Sequence, residues 1–191
     1  MKNIFSQDLK NYSIIFFLVV FICISCKNEK NNKLNIAEQV DYWIGREIIF
    51  PDSLMLLNGR DLTPLNDSLY YDVKNYKIVT YIYGDCHSCV EEINKWEEIL
   101  SFQNEYNFEV IFFIFTLELD FFLNNYYKDV FLKHSYIIDT TDKFEINNRL
   151  IGYKEFQTFL LDSNNIIKSI GNPIYNEKVW KLYREVIENQ L

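Results

Sequence analysis

The chain has 191 residues, of which 49% are hydrophobic and 24% charged, the balance of one globular domain with an ordinary core. Its net charge is −8, and past the N-terminal region there is no Lys/Arg-rich tract. That excludes the basic footprint on which nucleic-acid binding depends.

The first apolar feature is Ile14 to Ile24, an uninterrupted run of eleven residues. It is shorter than the roughly 20 residues of a membrane-spanning helix and has the length of a signal-peptide core. No alanine-type cleavage site follows. The run passes instead through Cys23-Ile24-Ser25-Cys26 into polar Lys27-Asn28-Glu29-Lys30. This resembles a bacterial lipoprotein signal, with a small residue just before a cysteine that becomes lipidated and N-terminal. One position departs from the pattern: Cys23 stands where Leu or Val is usual. The resemblance implies that residues 1–25 are removed, that Cys26 carries a lipid anchor, and that residues 26–36, rich in Lys and Asn, form a tether. The alternatives are a plain secretory leader and an uncleaved anchor. In each case the domain, residues 37–191, faces an oxidising space outside the cytoplasm, where disulfide chemistry is expected.

Ala37, Val40, Tyr42 or Trp43, and Ile44 predict one face of a short helix ending at Gly45. Glu47 to Pro51 reads as a short strand stopped by its proline. From Asp52 to Asn75 the chain is loop-like, with turns at Asn58-Gly59 and Pro64 and an edge strand at Leu54–Leu57.

Lys77 to Tyr83 is a short, mostly apolar run of β-formers, the pattern of a strand covered on both faces. Gly84-Asp85 breaks it. Beyond that break the apolar period changes: Cys89, Ile93, Trp96 and Leu100 share one helical face, and Glu91, Glu92, Lys95 and Glu98 the other. Cys86 and Cys89 therefore lie three apart at a helix start, close enough to form a disulfide. Cys86 meets the free N–H groups and positive end of the helix, which stabilise a thiolate. Cys89 falls on the inward, sheltered face. An accessible, acidified first thiol beside a shielded second one is the division of labour of thiol–disulfide exchange.

Phe108 to Phe115 is a buried strand, Leu119 to Phe131 an aromatic-rich helix with Phe121, Phe122, Tyr126 and Val130 inward, and Tyr136 to Asp139 a short strand. A helix over Thr141–Leu150 turns Phe144 and Ile146 inward. Strands at Thr158–Asp162 and Ile166–Ile170 are joined by Ser163-Asn164-Asn165, a hairpin signal. A final helix has Val179, Tyr183, Val186 and Ile187 on one face. The order β-α-β-α-β-α-β-β-α predicts an α/β domain with a central mixed sheet flanked by helices on both faces.

From about residue 45 onward the chain resembles the thioredoxin-like superfamily, and most of all the membrane-anchored thiol–disulfide oxidoreductases of the TlpA/ResA type. The strand-to-C-x-x-C junction at Tyr81–Val90, the Thr158-Phe159-Leu160-Leu161-Asp162 strand and the Asn164–Gly171 turn and strand carry the likeness. The resemblance implies a thioredoxin-like fold and exchange of disulfides with protein thiols of the cell envelope. Cys86 would be the nucleophile and Cys89 the resolving thiol, with no cofactor beyond their own disulfide. Two positions depart from the pattern. Asp85 replaces an aromatic residue directly before the first cysteine, and a carboxylate there favours the protonated thiol. Phe156 stands at the position of the family's cis-proline, in Glu155-Phe156-Gln157-Thr158. Asp85, His87, Phe156 and Gln157 are thus the tuning or substrate-facing candidates, and a protonated His87 would stabilise a thiolate beside it. Two alternatives use the same scaffold: a redox-silent binding lipoprotein, and a copper or zinc chaperone with Cys86, Cys89 and His134 as ligands.

Overall fold

The computed structural model describes residues 37, 38, 40–65, 75–131, 133–150 and 154–189. The expected leader (1–25), its lipidation site Cys26 and the tether (26–36) lie outside these residues. Among the described residues no helix is long and apolar enough to cross a membrane. The chain divides into Met1–Tyr42 and Trp43–Leu191. In the first unit, residues 37, 38 and 40–42 are helical. The second unit carries the sheet and both cysteines.

Its strands are β1 (Met55–Asn58), β2 (Asp61–Pro64), β3 (Tyr76–Tyr83), β4 (Phe108–Phe115), β5 (Ser135–Asp139), β6 (Thr158–Asp162) and β7 (Ile167–Ile170). They form one mixed seven-stranded sheet in the order β2-β1-β5-β4-β3-β6-β7. β3, β4 and β5 are parallel neighbours, whereas β6, β7, β1 and β2 each pair antiparallel. The parallel register brings the carboxyl ends of β3, β4 and β5, at Tyr83, Phe115 and Asp139, to one edge.

The helical segments are α1 (His87–Glu91), a 3-10 stretch Glu92–Trp96, α2 (Glu97–Ser101), α3 (Leu119–Phe121), α4 (Lys143–Asn148) and α5 (Glu177–Asn189). Ile78, Ile82, Phe112 and Ile114 point to one face and join Ile93 and Trp96 from the cysteine helix and Tyr183 and Ile187 from α5 in a single core cluster. The opposite face is covered by α4 and the segment from Trp43 to Phe50. There Phe144 stacks on Phe113 with ring centres 4.2 Å apart, and Trp43 packs against Phe159 at 5.3 Å. Helices on both faces of a mixed sheet are therefore observed, as the alternation of elements predicts. Full burial of a side chain of this kind, relative to leaving it exposed, stabilises the fold by about 1.5–3 kcal/mol.

Several local expectations are corrected. The expected strand at Glu47–Pro51 is reduced to one bridge, Glu47 with Ile166. The reason lies in α4: Asn148 accepts from the Ile49 N–H at 2.7 Å and donates to the Ile49 carbonyl at 2.8 Å. A side chain thus satisfies the backbone groups that a ladder would have used. Leu54–Leu57 is not an edge. β1 lies between β5 and β2, and β2 falls inside the loop-like stretch 52–75; the hairpin turns through Gly59, with φ of 61°, and Arg60.

In α4, Phe144 and Asn148 are buried, but Ile146 is 64% exposed. The helix is bracketed by left-handed Asp142 and Arg149, so only the 144/148 pair faces the sheet and position 146 falls on the far side. Ile44 is likewise exposed beside a buried Trp43. The predicted helix 119–131 is α3 followed by a π turn (Phe122–Tyr126) and a 3-10 turn (Tyr127–Asp129). Phe122 is buried while Phe121 is 46% exposed.

Candidate functional site

At the carboxyl edge of the sheet, β3 ends and Gly84 makes the turn. Its N–H donates to the Phe115 carbonyl at 2.6 Å. A Cβ at this position would lie 2.9 Å from Ile114 Cγ2, 3.0 Å from the Phe115 oxygen and 3.1 Å from Thr116 Cβ. Only glycine lets β3 and β4 run this close and still release the chain toward the cysteines.

Cys86 follows as the N-cap of α1, with extended backbone angles (φ −113°, ψ 104°), and its carbonyl accepts from the N–H groups of Cys89 (3.0 Å) and Val90 (3.1 Å). Cys86 and Cys89 are joined by a disulfide with their Cα atoms 5.2 Å apart. The predicted contrast in exposure is not observed. Both residues are half-buried, since the bond draws the two sulfurs together, although Cys89 also packs against the main core cluster. Ser88 Oγ lies 3.4 Å from Cys86 Sγ.

Asp85 is held by the strand next door. Thr116 Oγ1 donates to Asp85 Oδ1 at 2.5 Å, and the Leu117 N–H donates to Oδ2 at 3.1 Å. Both carboxylate oxygens therefore fix the β4–α3 loop beside the disulfide. His87 is on the exposed side of α1. Its Nε2 lies 3.6 Å from Asp129 Oδ2 and 3.8 Å from Glu91 Oε1, and its ring packs 5.1 Å from Tyr126.

The segment before β6 supplies Phe156, half-buried, and Gln157, buried. No peptide bond among the described residues is cis. Gln157 is held by its backbone, whose carbonyl accepts from the Tyr81 N–H at 2.9 Å, and by its side chain, which donates to Tyr83 Oη at 3.2 Å. Tyr83 in turn donates to Glu145 Oε2 of α4 at 2.7 Å. Burial, and next the bond to Glu145, push the Tyr83 phenol up to about 12.

Between this segment and α1 lies a small cleft of about 40 Å³, lined by Cys89, Glu92, Trp96, Gln157, Ile174 and Tyr175 among others. Lys95 Nζ sits 5.8 Å from the centre of the Tyr175 ring. Glu92 and Tyr175 are not among the site candidates that the sequence indicates. The helical period puts Glu92 on the solvated side, yet a residue three after Cys89 shares its face, and the change to 3-10 winding turns it further toward the cleft. Tyr175 lies beyond a turn and had no local signal.

His134 is not brought to the cysteines. It precedes β5 at the end remote from Asp139, roughly 16 Å down the strand from the carboxyl edge at 3.3 Å per residue. There Nδ1 bonds the Ser135 carbonyl at 2.8 Å, and the ring packs on Phe112. Among the described residues no group of three or more His, Cys, Asp or Glu could hold a metal ion.

No family model and no curated protein sequence matches the chain. Solved structures do. The reduced 2-Cys peroxiredoxin of Plasmodium vivax superimposes with a TM-score of 0.59 at 14% identity, over 78% of this chain and 98% of that one. The thioredoxin domain of a thiol-disulfide oxidoreductase from Bacteroides vulgatus superimposes with a TM-score of 0.52 at 14% identity, over 73% of this chain and 97% of that one. The chain has a thioredoxin-like fold. On that fold it carries a Cys86–Cys89 disulfide at the start of the helix that follows β3.

Proposed function

We propose that the protein exchanges disulfides with protein thiols in the bacterial cell envelope, held at the membrane by a lipid on Cys26. The observation that carries the chemistry is the Cys86–Cys89 disulfide at a helix start, half-exposed at the carboxyl edge of the sheet. The anchor rests on the sequence alone, on the apolar run ending at Ser25-Cys26.

In the reducing direction the Cys86 thiolate attacks a partner disulfide. A Cys86–partner mixed disulfide forms and one partner thiolate leaves. Cys89, deprotonated, then attacks Cys86 Sγ, restores the internal disulfide and releases the second partner thiol. One dithiol and one disulfide become one disulfide and two thiols, with two electrons and two protons transferred and no further cofactor. The oxidising direction is the reverse. Free N–H groups of the first helical turn stabilise the Cys86 thiolate. Glu92, in the same cleft as Cys89, would take the Cys89 proton.

The test is a Cys89→Ser chain expressed in cells and recovered after alkylation. Mixed disulfides through Cys86 are expected, and none in a Cys86→Ser/Cys89→Ser control. A Cys86–Cys89 pair that never changes oxidation state and traps nothing would remove the reading. For the anchor, labelled fatty acid should enter the native chain and not Cys26→Ala.

A further inference from the structure

Beside the disulfide the β4–α3 loop and the end of α3 present apolar side chains to water. Leu117 is 72% exposed, although its N–H is bonded to Asp85, the residue next to Cys86. Phe121, 46% exposed, meets Tyr126 edge to face at 5.3 Å, and Tyr126 meets the His87 ring at 5.1 Å. Leu117 through its N–H, and Phe121 through Tyr126, are thus tied to Asp85 and His87, the two residues that flank Cys86. The exposure is built in: Asn94 holds the far end of the segment, with Nδ2 donating to the Asp129 carbonyl and Oδ1 accepting from the Phe131 N–H.

The charge around this shelf is predominantly negative. Asp85, Glu91, Glu118, Asp120 and Asp129 surround it, against Lys128 on the same segment. A surface with exposed aliphatic and aromatic side chains inside a carboxylate rim favours a partner with the opposite charge and a similar apolar content. Cations would be drawn in, and anions repelled, from within about 10 Å at ordinary salt.

We propose that this shelf is the docking surface for the exchanged polypeptide, and that it selects a cysteine flanked by apolar and cationic residues. The proposal rests on the thiol-exchange reading above and names its substrate class.

The test uses the reduced full chain, with the Cys86→Ser chain as blank. The probes are three short cysteine peptides of identical Leu/Phe content, flanked by Lys, Gln or Glu, each presented as a mixed disulfide with 2-thiopyridine. Cys86 and Cys89 become a disulfide, and the peptide thiol and thiopyridone are released in equal amounts, so absorbance reads the rate. Neutral 2,2′-dithiodipyridine serves as the undocked reference.

At low salt the Lys peptide is expected to react about tenfold faster than the Glu peptide, relative to the reference, and the gap to narrow at high salt. The Leu117→Ser/Phe121→Ser chain should lower the ratio of Lys-peptide rate to reference rate several-fold, while Leu182→Ser on α5 leaves that ratio unchanged. Equal rates for the Lys and Glu peptides, or an unchanged ratio in the Leu117→Ser/Phe121→Ser chain, would overturn the docking surface. No reaction with 2,2′-dithiodipyridine would overturn the exchange reading itself, and the docking surface with it.

Discussion

Gly84 sets how close the cysteine turn comes to its neighbour strand, and its substitution should report on the whole site. With three heavy atoms within 3.1 Å of any added Cβ, two of them backbone oxygen or the packed Ile114 side chain, Gly84→Ala should lose about 2 kcal/mol in urea unfolding. A loss under a few tenths would mean that β4 yields freely there. Asp85 acts at the same point in two senses. Its oxygens hold Thr116 and Leu117, while its charge opposes the Cys86 thiolate. In Asp85→Asn the pH midpoint of Cys86 alkylation in the reduced protein should therefore move down. An upward movement would mean that the loop anchor outweighs the charge. His87→Ala removes contacts of 3.6 and 3.8 Å between half-exposed groups, so its stability cost should stay below about 1 kcal/mol.

At the scale of elements, α4 on one face of the sheet reaches the site through Tyr83. Glu145 of α4 accepts from Tyr83, and Tyr83 accepts from Gln157. This chain fixes the segment where a cis-proline was expected and Phe156 stands. Tyr83→Phe should cost about 1 kcal/mol at neutral pH, since Glu145 is partly open to water and regains solvent contacts. The same substitution tests linkage. With the folded-state pKa at about 12 and the unfolded one near 10, both states hold the proton below pH 10. Between pH 10 and 12 the unfolded chain alone releases it, so stability falls as pH rises. The stability difference between wild type and Tyr83→Phe should shrink through that window, and a constant difference would show that Tyr83 titrates freely. The irregular course from α3 to Asp129 is a second case at this scale. Spacing indicates which rings turn inward, but the π and 3-10 windings that leave Phe121 outside depend on anchors such as Asn94, remote in the chain.

For the whole molecule, Tyr81, Tyr136 and Tyr183 belong to the sheet and its covering helix, and burial raises the pKa of each phenol. Each favours the folded state below the unfolded-state value and loses that contribution as pH climbs above it. Tyrosinate absorbance and loss of far-UV circular dichroism should therefore rise together above about pH 10. Titration of these tyrosines near pH 10 with the fold intact would contradict their burial. Much of the architecture is legible in the chain itself. The β3 run, the C-x-x-C helix, the β6–β7 hairpin and the inward face of α5 each announce themselves over a few residues, since a strand or helix face repeats at a fixed short period. The pairing of Cys86 with Cys89 belongs to the same class, because residues three apart at a helix start are neighbours whatever the rest of the chain does. Tertiary contact alone decided that Asn148 would replace a strand at Ile49, that β1 would be interior, that Ile146 would face water and that His134 would lie far from the cysteines. The cleft of Cys89, Glu92, Gln157 and Tyr175, and the shelf of Leu117 and Phe121 beside Cys86, are likewise built from segments tens of residues apart. Local periods encode which side of an element is apolar; which remote element arrives to cover it, or fails to, depends on the packing of the whole sheet.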